Sequence, residues 1–154
     1  MVGHREGMND PYDLQRFVDA QDLDCTFDAA VRELRAGRKR SHWMWFVFPQ
    51  VRGLGRSATA QYFGIASREE AAAYLDHDLL GPRLRQSARL LTQLGANSAD
   101  LVMGSVDALK LRSSMTLFAR AAPDDPTSDD RVFADVLDRY FDGAPDPRTV
   151  DLLQ

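Results

Sequence analysis

The densest group of residues that could bind a planar ligand is segment 41–55, which has the sequence SHWMWFVFPQVRGLG. It contains both tryptophans of the chain, Trp43 and Trp45, and the polar residues His42 and Gln50 flank its apolar stretch. On a helix the two rings would point about 200° apart, so one core could not easily hold both. Two interpretations follow. Either the aromatic side chains all pack in the core, or one tryptophan joins His42 and Gln50 in a pocket, where its ring could stack on a nucleobase.

Two features beside this segment could bind an anion. Gly53 and Gly55 would let the backbone approach a ligand closely, and loop N–H groups could hold an anion there. Residues 35–40, RAGRKR, carry four positive charges just before the aromatic segment. Each feature also has a purely structural interpretation: a tight turn for the glycines, and a solvated helix end for the basic run, where cations complement the helix dipole.

A second candidate element is the predicted helix 106–121. Asp107, Lys110 and Ser114 share one face of it through their i, i+3 and i+7 spacing, and Ser113 lies beside them. The helix is apolar on several sides, so it should be largely buried, and its polar side chains need partners or line a cavity. One interpretation is an Asp107–Lys110 ion pair with serines bonded to the backbone. The other is a lysine whose charge faces a phosphate or a reacting carbonyl carbon.

The catalytic candidates are few. Cleavage of a glycosidic bond needs a carboxylate to stabilise an oxocarbenium-like state, and Asp19 and Asp107 are the candidates, with Lys110 as the cation. Gln21 follows Asp19 on the first predicted helix and is a candidate ligand contact. None of the three histidines has a visible serine or cysteine partner, so a nucleophilic triad is unsupported. Cys25 is the single cysteine, and no Cys/His cluster predicts a metal, so we expect neither a metal nor a cofactor.

Composition limits the class of protein. A chain of 154 residues with 44% hydrophobic residues suits one domain with one core. The net charge of −4 argues against nonspecific nucleic-acid binding, so a nucleic acid fits only as a modified-base substrate. No apolar run approaches the roughly 20 residues of a membrane span, and residues 1–9 are polar and lack the apolar stretch of a signal peptide, so we expect a cytoplasmic protein without a membrane partner. The oligomeric state stays open.

Helix signals predict the elements that position these residues. Asp10-Pro11 favours a helix start, Ser67 and Glu70 form a capping box, and Gly37 and Gly143 are typical of helix ends. No convincing alternating strand appears, and residues 45–51 are the one candidate. The sequence therefore predicts an all-α fold, a single compact domain of seven or eight helices at residues 10–150, after a flexible leader at residues 1–9.

Several short motifs identify a family. In chain order they are Asp10-Pro11-Tyr12-Asp13-Leu14, Arg16-Phe17, Ala20-Gln21, Lys39, Ser41-His42-Trp43-Met44-Trp45-Phe46, Phe48-Pro49-Gln50, Gly53-Leu54-Gly55, Tyr74-Leu75, His77, Leu80-Gly81, Lys110-Leu111 and Ser113-Ser114-Met115-Thr116-Leu117-Phe118. Together they resemble the bacterial and fungal family DUF1810 over residues 10–149. The resemblance implies a helical fold and no settled activity. Some members carry a calpastatin label, but nothing in this sequence supports protease inhibition by a disordered inhibitor.

The layout is more distantly similar to the NADAR group, helical proteins tied to NAD and ADP-ribose. In that group an aromatic-x-Ala-Gln-like stretch packs near the ligand, and Phe17 with Ala20-Gln21 is loosely similar to it. The group's Glu-His dipeptide is absent, so no catalytic glutamate carries over. The leading hypothesis is a nucleotide-like ligand of the NAD or ADP-ribose type, with hydrolysis of its N-glycosidic bond. The alternative is a noncatalytic interaction module that presents residues 41–50 to a partner protein.

Overall fold

The fold is all-α, as predicted. The structure, a computed structural model, describes residues 10–96 and 98–154, so the predicted leader at residues 1–9 lies outside the described residues. The α-helices are α1 Gln15–Asp22, α2 Thr26–Ala36, α3 Met44–Val47, α4 Ala58–Tyr62, α5 Arg68–Asp76, α6 Leu80–Thr92, α7 Ala99–Met103, α8 Ser105–Ala121, α9 Val132–Phe141 and α10 Pro147–Leu152. Single 3₁₀ turns occupy Leu23–Cys25 and Asp129–Arg131. No helix within the described ranges is long and apolar enough to span a bilayer.

Helix α8 forms the centre of the domain. It packs against α5, α7, α9 and α10, while α6 contacts α2, α5 and α9 on the other side of the core. Its buried residues include Leu111, Met115 and Phe118, as expected for a helix that is apolar on several sides. Aromatic rings continue the core: Tyr74 lies 5.2 Å from Phe118 between ring centroids and 5.2 Å from Phe17. The contacts around α8 therefore connect the first helices of the chain to the last ones.

A buried guanidinium connects the N-terminal helix to the loops of the middle of the chain. Arg16 on α1 donates through Nε to the carbonyl of Tyr62, and through its two terminal nitrogens to the carbonyls of Tyr12, Asp13 and Gly64 and to Glu70 Oε2. All five N–H donors of the group are thereby satisfied. The Arg16–Glu70 ion pair is 2.8 Å long, and both side chains are 5% exposed or less. One side chain thus fixes the turn between α4 and α5.

Residues 45–51, the candidate strand, do not form a strand. They contain most of a one-turn helix, and Val51 forms a single β-bridge. Met44–Val47 is α3, and the buried Pro49 follows it. Val51 forms an isolated parallel bridge with Ile65, in which Arg52 N donates to Ile65 O over 2.8 Å and Ile65 N donates to Gln50 O over 2.8 Å. This bridge and the Arg16 contacts fold residues 49–66 onto the domain.

A second carboxylate holds the segment between α2 and α3. Glu33 on α2 accepts hydrogen bonds from Arg40 N at 2.7 Å, from Ser41 N at 3.0 Å, from Ser41 Oγ and from Trp43 Nε1 at 2.9 Å. Burial alone would raise the pKa of Glu33, but these hydrogen bonds favour the charged form and lower the pKa to about 2. The ionised Glu33 therefore fixes the path of residues 38–43.

Replacement of Glu70 by alanine should destabilise the protein strongly. The variant leaves the Arg16 guanidinium buried without its counter-ion, so we expect the free energy of unfolding to fall by about 3–5 kcal/mol. Urea denaturation followed by circular dichroism measures the change. Glu69→Ala is the matched control, because Glu69 is the preceding residue of the same helix and is exposed. Similar losses in both variants would contradict the role given to the buried pair.

Replacement of Glu33 by glutamine should alter how stability depends on pH. The pKa of Glu33 is lowered in the folded state, so its contribution is complete above its ordinary pKa of 4.5 and is lost as the pH falls towards 2. At pH 7 we expect Glu33→Gln to cost about 1–2 kcal/mol, a modest value because water reaches part of the carboxylate. Urea denaturation at pH 7 and at pH 3 should show a smaller difference between wild type and variant at the lower pH. A difference that does not shrink would refute this account.

Candidate functional site

A groove opens between the segment after α3, helix α8 and the start of α10. Its volume is about 370 Å³, and Trp45, Leu54, Val106 and Leu109 supply most of its apolar surface. The polar lining residues are Gln50, Lys110, Arg112, Ser113, Asp146 and Arg148, and Gly55 completes the wall. The fold thus brings together the two segments that the sequence singled out, residues 41–55 and 106–118.

The two tryptophans have different environments. Trp43 is fully buried, and its indole N–H donates to Glu33, so this ring belongs to the core. Trp45 is partly exposed and lines the groove. The Lys110 ammonium lies 4.2 Å from the centroid of the Trp45 ring, which is a cation–π geometry. The groove therefore has an aromatic surface and a positive charge in direct contact.

Lys110 also belongs to a charge triad with Asp107 and Lys39. Asp107 Oδ1 lies 3.4 Å from Lys110 Nζ, and Asp107 Oδ2 lies 2.9 Å from Lys39 Nζ. The predicted Asp107–Lys110 pair is present, but Asp107 makes its shorter contact with Lys39. These are the two lysines of the whole chain. Lys39 comes from the basic run 35–40, so the fold places one cation of that run next to the Lys110 site.

A smaller recess adjoins the groove. Its volume is about 110 Å³, and it is lined by Lys39, His42, Trp43, Met44, Trp45, Asp107 and Lys110. Trp45 and Lys110 line both the recess and the groove, so the two hollows share a wall. His42 is exposed at this recess rather than in the groove.

The glycines of the loop 53–55 have separate roles. Gly55 lines the groove, and a Cβ atom there would lie 2.8 Å from Ala60 Cβ, so this position cannot carry a side chain without rearrangement. Gly53 has a φ of +109° and a Cβ there would meet Leu152 of α10, so it supports the packing of the C-terminal helix. The structure thus places Gly55 in the groove wall and Gly53 outside it.

The C-terminal segment forms a wall that the sequence interpretation did not include. Asp146 accepts hydrogen bonds from Thr149 N at 3.1 Å and from Ser113 Oγ at 3.1 Å, so it caps α10 and ties it to α8. Arg112 donates to the carbonyls of Ala144 and Pro145. Arg148 on α10 is exposed at the groove. The Asp-Pro pair at 146–147 is typical of a helix start, but nothing local in the sequence indicates that α10 packs beside Lys110.

Besides Trp43 and Gly53, three more of the predicted site residues lie away from the groove. Gln21 is buried behind α3, where it donates to Phe46 O over 2.7 Å and to Tyr74 Oη over 3.2 Å. Burial raises the pKa of Tyr74, so its hydroxyl stays neutral in this pair. Asp19 is exposed on α1, accepts from Gln15 Nε2 and does not line the groove. Ser114 is fully buried, and its Oγ has no hydrogen-bond partner among the described residues, whereas Ser113 reaches the groove.

The electrostatics of the groove differ from those of the whole chain. Lys110, Arg112 and Arg148 line the groove with the carboxylate of Asp146, and Asp107 pairs with Lys110 from the adjoining recess, although the net charge of the chain is −4. No cluster of three or more His, Cys, Asp or Glu side chains with metal-binding geometry occurs in residues 10–96 and 98–154. The arrangement suits an anion that carries a planar or apolar group.

Comparison with known proteins gives a family but no activity. No curated protein matches the chain. A solved structure, that of the conserved hypothetical protein Rv1873 from Mycobacterium tuberculosis, is 54% identical, with a TM-score of 0.86 over 94% of this chain and 98% of that one. The model of the DUF1810 family, described as a protein of unknown function, matches residues 11–153. Because that match spans nearly the whole chain, the protein belongs to the DUF1810 family.

Proposed function

We propose that the groove binds a nucleotide-like ligand, with the base against the Trp45 wall and the phosphate on Lys110 and Arg148. The observation that carries the proposal is the contact of the Lys110 ammonium with the Trp45 ring at 4.2 Å. It puts an aromatic surface and a cation within the span of one nucleotide. A cytoplasmic location, where nucleotides are abundant, is part of the proposal.

The apolar wall supports a planar group. Val106 and Leu109 are 64% and 67% exposed, and both line the groove beside Trp45 and Leu54. Large apolar side chains held open at a concave surface are typical of a ligand site. The volume of about 370 Å³ falls in the lower part of the range of about 300–1,000 Å³ for small-molecule pockets. A single nucleoside is the scale of ligand that this volume fits.

The cations support a phosphate. Lys110 has three N–H donors, and its ion pair with Asp107 is long at 3.4 Å. Arg148 is exposed at the rim, and no hydrogen bond or ion pair involves its side chain within the described residues. Asp146, the opposing carboxylate, is already hydrogen-bonded to Ser113 and to the start of α10. Both Lys110 and Arg148 therefore retain donors for a phosphate oxygen.

The geometry favours binding over hydrolysis of an N-glycosidic bond. Asp107 is held between two lysines, Asp19 does not line the groove, and Asp146 caps α10. A carboxylate that stabilises an oxocarbenium-like state must instead face the sugar carbon. The NADAR resemblance adds NAD and ADP-ribose to the ligands to be tested, and nicotinamide release from NAD is the direct assay for the hydrolytic step.

The alternative function, an interaction module that presents residues 41–50, has less support. Trp43, Met44, Val47 and Phe48 are all buried, so this segment has no continuous exposed aromatic face. Trp45, Gln50 and His42, which are partly or fully exposed, line the groove or the recess, whereas the partly buried Phe46 packs against the core. A concave site fits this arrangement better than a flat protein interface.

Substitutions in the groove should weaken nucleotide binding without unfolding the protein. We expect Lys110→Met to lower the affinity for AMP about tenfold, because a charge-assisted hydrogen bond is lost, and Trp45→Leu to lower it by about five- to tenfold through lost stacking. Isothermal titration calorimetry at fixed ionic strength measures both. Arg120→Met is the matched control, because Arg120 is exposed on the same helix and lies outside the groove.

Two results would overturn the proposal. One is the absence of any heat of binding or thermal shift for the wild-type protein with AMP, ADP, NAD and ADP-ribose, because a ligand of the folded state must raise the melting temperature. The other is an equal loss of affinity in Lys110→Met and Arg120→Met, which would indicate only a general charge effect.

A further inference from the structure

We propose that the recess beside the groove is a second anion subsite, so that the preferred ligand is a nucleoside diphosphate rather than a monophosphate. This inference rests on the proposed function of the groove. It assigns the recess to the phosphate that follows the one bound at Lys110. The observation behind it is that both lysines of the chain line this small hollow.

Lys39 has donor capacity left inside the recess. Its ammonium donates to Ser41 O over 2.6 Å and contacts Asp107 Oδ2 at 2.9 Å. An ammonium has three N–H donors, and no third hydrogen-bond partner of the Lys39 ammonium occurs among the described residues. The side chain is 8% exposed and lies over the Trp43 ring at 5.0 Å. A buried donor without a partner is costly, and an anion in the recess would satisfy it.

The charge balance of the recess favours an anion. Asp107 is the one carboxylate among the described residues that line the recess, and it contacts both ammonium groups. Lys39, Lys110 and Asp107 together carry a net charge of about +1. The negative charge of Asp107 is thus already paired with two cations. Lys39 is nearly excluded from water, and Coulomb attraction is stronger there than at the surface. An anion must therefore enter the recess to contact Lys39, because this ammonium does not lie at the rim.

Size selects which part of the ligand enters. The recess has about 110 Å³, against about 370 Å³ for the groove. Since a water-sized group takes about 30 Å³, the recess is large enough for a phosphoryl group, and the groove offers the larger space for the base. The shared wall of Trp45 and Lys110 sets the polarity of the ligand: base in the groove, first phosphate at Lys110, second phosphate at Lys39.

The two lysines allow a direct test by NMR. A protein labelled with ¹³C at lysine Cε gives two lysine side-chain signals, which Lys39→Met and Lys110→Met assign by the loss of one signal each. AMP should shift the Lys110 signal and leave that of Lys39 nearly in place, whereas ADP should shift both. If ADP shifts Lys110 but not Lys39, the recess subsite is refuted and the groove proposal stands. If neither nucleotide shifts Lys110, the groove proposal itself fails.

Affinities give an independent measure. We expect the wild-type protein to bind ADP about tenfold more tightly than AMP, since the second phosphate gains a charge-assisted contact. Lys39→Met should remove most of that ratio, because the second phosphate loses its charged partner. Arg40→Met is the control, because it removes a charge from the same loop without lining the recess. An ADP to AMP ratio near one in the wild type, or an equal drop of that ratio in Arg40→Met, would overturn the subsite.

Discussion

The Arg16 guanidinium is the group on which the middle of the structure most depends. A buried arginine is tolerated only when its charge and all five of its donors have partners, and here those partners come from the turn before α1, the end of α4 and helix α5. The residues between α3 and α5 contain little regular structure of their own, so this requirement and the Val51–Ile65 bridge determine where they lie. Gln50, Leu54 and Gly55 reach the groove because this loop is held in one path. A polar interaction far from the groove in sequence thus sets the shape of its wall.

The second fixed point, Glu33, acts in the same way on the opposite side of Trp45. It binds Trp43 in the core and holds the backbone of Arg40 and Ser41, which leaves Lys39 directed towards Asp107. Trp45 lies two residues after Trp43. On the one-turn helix α3 its side chain points away from that of Trp43, and its ring contacts Lys110. The two tryptophans therefore differ in role: Trp43, which donates to Glu33, packs in the core, and Trp45 lies at the surface of the groove.

Local sequence signals were enough to predict the class of fold, and several residues that they singled out line the candidate groove. Periodic apolar residues marked α8, the Ser67–Glu70 pattern marked α5, and Gly37 ends α2 with a positive φ of 76°. Trp45, Gln50, Gly55, Lys110 and Ser113 were predicted as site residues, and all of them line the groove. Arg148 and Asp146 were not predicted as site residues. They line the groove because α10 packs beside α8, and no spacing in the sequence indicates this packing. Gln21 and Asp19 were included for their residue types, yet their positions follow from contacts of α1 that only the fold defines. The turn at Asp24 and Cys25, where two non-glycine residues have positive φ, also has no local signal.

The use of lysine in this protein is itself informative. The chain has 19 cationic side chains, and the two that are lysines both contact Asp107. The other cationic side chains are arginines. At Arg16, for example, a planar group with five directed donors binds several carbonyl oxygens at once. An ammonium is compact and its donors rotate, so it can turn between a carboxylate, an aromatic face and an incoming anion within a hollow of about 110 Å³. A guanidinium at either position would favour a fixed, two-pronged geometry on Asp107. Lysine at these two positions therefore suits a binding site, where a cation exchanges one partner for another. A purely structural ion pair would not need this freedom.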